Sequence, residues 1–310
     1  MTDSRTRLLL PLSLAAAIVA VSTASSFIRL AQKEAPSLVI AALRLTFATL
    51  LLAPVALTRY RNELKSLTRH EVALAVFSGA FLTLHFATWV SSLEFTSVAS
   101  SVVFVSTGPL WVALLSPILL NERLRRAAIL GLALALLGGT IVGLSDTCGW
   151  SRGVQCPDLD QILQGEAVRG NFLALAGAWA ITGYLIIGRK LRASRSVSLI
   201  PYIFLVYGIS AVGLILLMFL AGESPLGYRA ITYGWIFLLA AVPQLIGHST
   251  FNWALRYLSA AFVAVTTLGE PIGSAVLAFF ILREAPSLGT ILGGALILTG
   301  IYLASRNNSN

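Results

Sequence analysis

Charge is scarce in this chain: Asp, Glu, Lys and Arg make up 11% of its 310 residues, where soluble domains carry about a quarter. A chain this poor in charge cannot cover a water-facing surface. Catalytic patterns are absent too. No Walker A loop, Gly-x-Ser-x-Gly elbow, His-Glu-x-x-His pair or dinucleotide glycine fingerprint occurs. That excludes an ATP-driven pump within this chain and leaves an enzyme without its usual signatures. Histidine occurs three times and cysteine twice, at spacings that suit no metal, so neither a metal site nor a cofactor is expected. Cys148 and Cys156 flank a polar stretch in the longest connection; they form a disulfide if that loop meets an oxidising compartment and stay free thiols otherwise.

Apolar length is what the chain has in abundance. It is 57% hydrophobic with a mean hydropathy of +0.84, and stretches of about 20 apolar residues, each enough to cross ~30 Å of hydrocarbon, recur nearly end to end. Ten spans are predicted, near 8–31, 38–58, 72–93, 96–120, 127–145, 170–188, 197–221, 233–255, 259–282 and 288–304. The N-terminal pattern of Arg5 and Arg7, an apolar run and VSTASS also reads as a cleavable leader. It is expected to be retained as the first span, because its loss would leave four spans facing five.

The net charge of +9 would suggest nucleic acid in a soluble protein, but here the basic residues fall on one side of the spans. With the N-terminus inside, 15 Lys and Arg lie in cytoplasmic segments and 6 outside, Arg44 remaining within a span. The positive-inside rule then puts both termini in the cytoplasm of a cell inner membrane, and no nucleic-acid partner is expected.

The chain is also a duplication. LEFTSVASSVVFVSTGPLWVALLSPILLNERLRRAAILGLALALLG, from Leu93 to Gly138, aligns without a gap onto LRYLSAAFVAVTTLGEPIGSAVLAFFILREAPSLGTILGGALILTG, from Leu255 to Gly300, with 16 identities. Pro109 matches Pro271, Glu122 matches Glu284, and Gly131 and Gly138 match Gly293 and Gly300. The expected organisation is an all-α integral membrane protein: a first five-helix repeat in 1–145, an extracytoplasmic loop in 146–169 and a second repeat in 170–310. Five is odd, so the repeats enter the membrane in opposite senses. Inverted repeats of this kind place the substrate path at their interface and permit alternating access.

The AALRL of Ala41–Leu45, the GPLWVALLSPILLNE of Gly108–Glu122 and its partner EPIGSAVLAFFILRE of Glu270–Glu284 resemble the EamA-type branch of the drug/metabolite transporter superfamily, and the likeness runs from about Leu12 to Ser305. The resemblance implies a ten-helix inverted-repeat carrier with a central cavity, exporting amino acids, aromatic ones among them, or related metabolites. Two departures are visible. Val21, Ser22 and Thr23 replace a common Trp-Gly in the first span, and Asn121 and Arg283 replace the usual Gly before the span-ending Glu.

Glu270 alone among the acidic residues lies deep in a predicted span, where an ionised carboxylate costs about 2.5–3.5 kcal/mol on translocon scales unless it meets a cavity, a partner or a proton. Its repeat counterpart is Gly108. It can bind a substrate ammonium, carry a coupling proton, or hold the break that Pro271 introduces. Arg44 snorkels outward, pairs with Glu34 or Glu94, or binds a carboxylate; Arg29, near an outer end, is expected to snorkel. Gln244, His248 and Asn252 recur every four residues and predict a polar stripe on one helical face, and His85 and Trp89 share a face of the third span. Trp111 and Trp179 lie far enough from span ends to stack a planar substrate or a cation. These residues with Glu270 and Arg44 form the candidate cavity wall, and Pro109 and Pro271 the candidate hinges. The small-xxx-small pairs Gly139/Gly143 and Gly289/Gly293 serve packing within the chain or a homodimer seam, so monomer and homodimer both stand.

The function expected is secondary export of an amino acid or amine from within a lipid bilayer, with a proton as candidate coupling ion. The alternatives are a carrier of a quaternary-ammonium drug, nucleotide derivative or sugar phosphate, and a membrane-embedded enzyme. Phosphates would call for several buried Arg or Lys, which the spans lack.

Overall fold

The computed structural model describes residues 4–119, 126–147, 165–193, 197–258 and 260–306. Cys148, Cys156, Asn121 and Glu122 lie outside them. Every regular element among the described residues is helical, the arrangement that lets apolar chain satisfy its backbone groups without water. The helices are α1 (Ser4–Ser22), α2 (Ala24–Ala31), α3 (Ser37–Arg59), α4 (Arg61–Ser66), α5 (Arg69–Phe95), α6 (Val98–Val105), α7 (Gly108–Leu119), α8 (Arg126–Thr147), α9 (Glu166–Ala193), α10 (Leu199–Leu220), α11 (Ala230–Leu239), α12 (Ser249–Ala254), α13 (Ala260–Thr266), α14 (Gly269–Leu282) and α15 (Leu288–Arg306), with a π-helical segment, Ala240–His248, joining α11 to α12. Seven helical stretches are long and apolar enough to cross a membrane, in 9–31, 37–59, 69–95, 166–192, 199–220, 230–254 and 262–282; shorter apolar helices occupy 98–112, 133–142 and 288–300.

Three stretches are broken mid-way, each at a threonine whose hydroxyl bonds back to a carbonyl three residues earlier: Thr23 to Ala20 at 2.7 Å, Thr107 to Phe104 at 2.8 Å and Thr267 to Ala264 at 2.7 Å. Such back-bonding competes with the helix ladder and bends it. Pro109 and Pro271 therefore fall in the first turns of α7 and α14, where the missing N–H costs little. Pro243 sits inside the π-helical segment, where wider i→i+5 spacing accommodates a ring that an α-helix would reject.

Packing pairs elements distant in sequence: α3 lies against α10, α5 against α9, α8 against α15, and α1 against both the π-helical segment and α14. The α8–α15 seam depends on the duplicated glycines. A Cβ on Gly138 would strike the Gly293 carbonyl oxygen, and one on Gly300 would strike that of Gly131. Gly289 likewise faces Ser145, and Gly139 the ring of Phe104. Gly139, Gly289 and Gly293, raised as part of a dimer seam, thus have neighbours within the chain.

Carboxylates at one end of the bundle cap helix N-termini belonging to other elements. Glu284, beyond α14, accepts from the Val98 N–H at the start of α6 at 2.5 Å and pairs with Arg29 at 3.7 Å. Glu94 accepts from the Ser37 N–H at 3.1 Å, opening α3. Glu34 pairs with Arg229 and accepts from the Thr232 hydroxyl at 2.5 Å, at the start of α11. Elsewhere Glu63 of α4 accepts from the Ser198 N–H at 2.6 Å, before α10. Each places negative charge where the helix dipole favours it. Glu34 and Glu94 are therefore engaged away from Arg44, which corrects the expected pairing. The hydrogen bond from Thr232, and after it those from Arg229, hold the Glu34 carboxyl below its ordinary range against an opposing push from burial.

Candidate functional site

A cavity lies at mid-length of the bundle. Its wall takes His85 and Trp89 from α5, Ser106, Gly108 and Pro109 from the α6–α7 break, Tyr184 from α9, His248 and Phe251 beyond Pro243, and Thr267 and Glu270 from the α13–α14 break. The broken helices thus bring Gly108 and Glu270, repeat counterparts, to one space. Its volume is about 60 Å³, enough for a few waters and far below the roughly 300–1,000 Å³ of ligand-enclosing sites. The cavity is narrow.

Each titratable side chain on the wall has a definite setting. His85 is buried, with its Nδ1 3.0 Å from the Gly177 carbonyl oxygen. A carbonyl only accepts, so Nδ1 carries a proton and Nε2 of the neutral ring is left bare. The ring stacks on Trp89, centroids 5.7 Å apart at 18°, and Phe86 stands edge-on to both His85 and His248, at 4.8 and 5.7 Å. Glu270 enters the first turn of α14, its N–H bonded to the Thr267 carbonyl at 2.9 Å.

Arg44 is fully buried, one layer behind this wall. Its guanidinium carbon lies 4.2 Å from the centre of the Phe86 ring, and its Nε donates to Gln244 Oε1 at 3.0 Å. Glu270, His85 and His248 are within its Coulombic reach.

The three polar residues expected on one stripe part company. Gln244 turns to Arg44, His248 lines the cavity, and Asn252 donates to Tyr184 Oη at 2.5 Å and Tyr207 Oη at 3.4 Å. The π-helical turns explain this, since four residues fall short of a full turn at i→i+5 spacing. Trp111 and Trp179 pack on each other, centroids 5.2 Å apart at 90°. They are absent from the cavity wall, and Trp179 is 52% exposed at the bundle periphery, where apolar solvation rather than a substrate accounts for its ring. Sequence reasoning missed Phe86, Ser106 and Thr267. The last two were signalled by their place just ahead of the Gly-Pro and Glu-Pro dipeptides; Phe86 carried no signal. Among the described residues no group of His, Cys, Asp and Glu could hold a metal ion.

Stretches long enough to cross a bilayer, surrounding a cavity lined by two histidines and a carboxylate, define a multi-pass membrane protein with a polar interior. The chain belongs to the EamA-like transporter family, whose model matches it twice, over residues 9–144 and 168–306. It is 25% identical over 301 residues to an uncharacterized transporter of Archaeoglobus fulgidus, covering 93% of each chain. It is 24% identical over 247 residues to an uncharacterized transporter of Synechocystis sp., covering 78% of this chain and 69% of the other. A crystal structure at 20% identity shares the fold, with a TM-score of 0.66 over 97% of this chain and 99% of that one. The protein is a transporter, and no enzyme.

Proposed function

We propose that this transporter is a secondary carrier exporting an amino acid or amine by alternating access between two inverted five-helix repeats, 1–145 and 170–310, in a bacterial-type inner membrane with both termini cytoplasmic. The three shorter apolar helices supply the remaining crossings. The helix pairing supports an exchange of halves: shifting each span by five turns the α5–α9 contact into the contact of the eighth span with α1, and leaves the α8–α15 and α3–α10 contacts unchanged. The observation that carries the reading is the cavity itself, where Gly108 and Glu270, matched across the duplication, meet at the breaks of the fourth and ninth spans. Broken helices at the repeat interface are where inverted-repeat carriers bind substrate.

Proton coupling runs through Glu270, with His85 and His248 on the same wall and Arg44 behind it. Counterflow in proteoliposomes preloaded with a pool of amino acids and amines tests the reading. Saturable exchange of a member of that pool supports it. Exchange confined to quaternary-ammonium drugs, nucleotide derivatives or sugar phosphates replaces the substrate class, and the absence of any solute movement overturns the reading.

A further inference from the structure

Among the described residues Arg44 and Arg192 are the largest fully buried polar side chains, and Arg44 is the less satisfied of the two. Only Nε has a partner; Nη1 and Nη2 are buried without one. Gln244, which accepts from Nε, has its own Nε2 unpartnered, and so does the indole Nε1 of Trp89 on the cavity wall. These groups adjoin one another through Phe86, whose ring lies 4.2 Å from the Arg44 guanidinium and 6.3 Å from the ring of Trp89. All four unpartnered nitrogens are donors. Ion pairs among the described residues are Arg29 with Glu284 and Arg229 with Glu34, so no carboxylate offsets the guanidinium directly. A buried, permanently charged group with two nitrogens lacking acceptors is costly, and what it lacks is a small anion rich in lone pairs. A carboxylate, planar and able to accept from both Nη atoms, matches a guanidinium fork. A phosphate dianion would need more cationic groups than one arginine.

We propose that the cavity selects α-amino acid zwitterions, with Arg44 as the carboxylate subsite and Glu270, on the opposite charge, as the ammonium subsite. The inference rests on the transport reading of this cavity and narrows it, because it excludes amines that lack a carboxylate. Phe86 is the shutter: while the cavity is narrow its ring separates Arg44 from it, and the substrate carboxylate takes its place when the cavity widens. The Trp89 N–H is a further donor toward the same anion.

The test compares, in proteoliposomes, counterflow of the common amino acids with that of their decarboxylated amines and their methyl esters, which keep the ammonium and lose the negative charge. The wild type is expected to exchange at least one amino acid about tenfold faster than its amine or ester. Arg44→Gln is expected to lose that preference by suppressing the amino acid alone, and Arg44→Lys to restore part of it. Equal exchange of amino acid, amine and ester by the wild type overturns the inference while leaving the transport reading intact; exchange of no solute overturns both. Because Arg44→Gln can impair folding, calorimetric binding to the wild-type protein in detergent gives a variant-free reading. There the methyl ester is expected to bind at least about tenfold more weakly than the amino acid, and equal binding overturns the assignment.

Discussion

Arg44 and Gln244 meet across 200 positions of sequence, the guanidinium Nε donating to the amide oxygen at 3.0 Å. The contact ties α3 to the π-helical segment Ala240–His248 and fixes the guanidinium against Phe86. It also leaves two charged donors waiting for an acceptor.

A carboxylate placed at position 244 should fill that vacancy permanently. Gln244→Glu is expected to raise the melting temperature of the purified protein, because it neutralises an uncompensated buried charge, and at the same time to abolish amino acid exchange by occupying Arg44. Gln244→Leu, which strands Nε as well, is expected to destabilise by about 1–3 kcal/mol. A Gln244→Glu protein that is both less stable and fully active contradicts the role given to Arg44.

Removing the charge at Glu270 tests its part in proton coupling. Glu270→Gln is expected to abolish uptake driven by an imposed pH gradient, measured with a pH-sensitive dye inside the vesicles. Residual counterflow is then expected to be insensitive to pH. Proton-driven uptake at the wild-type rate by this variant would return Glu270 to the scaffold.

Among the described residues Arg283 is the one non-glycine residue with positive φ, at φ 60° and ψ 28°, where α14 ends. The left-handed region costs an L-residue roughly 1–2 kcal/mol, a penalty glycine escapes. Arg283→Gly is expected to stabilise the protein by about 1 kcal/mol in a denaturant titration, with Arg29 and Glu284 still paired.

The Glu34 contact is pH-dependent with a definite sign. Its carboxyl is held below the ordinary value of 4.5 by Thr232 first and Arg229 after it, so the stabilisation is present above that value and lost as pH falls through the lowered one. Wild type is expected to melt above Glu34→Gln at neutral pH, the gap closing as pH falls through the lowered value. Parallel melting profiles across that range would deny the contact any weight.

The seven long apolar helices were legible because apolar runs mark them in local composition; the duplication is itself a feature of the sequence, marked by ungapped identities at a fixed offset. Glu270, His85, Trp89 and His248 were legible for a related reason, since a polar group in lipid-embedded sequence must face protein or water. The threonine back-bonds that break the helices, and the Pro243 π-helical turns that send Gln244 and His248 different ways, depend on backbone geometry that a fixed α-helical period conceals. Arg44 was visible as a charge in a span, but its link to Gln244 is a tertiary fact. Trp111 and Trp179 misled because depth along a span says nothing about which side of the helix faces the interior.

Access to Thr267, on the cavity wall between Val263 and Glu270, measures alternating access most directly. In a Cys148→Ser, Cys156→Ser background, Thr267→Cys in sealed vesicles of known orientation is treated with a membrane-impermeant thiol reagent from one side and then from the other. The account predicts labelling from both sides, with a carried substrate slowing both. Labelling confined to one side under every substrate and pH condition would contradict it.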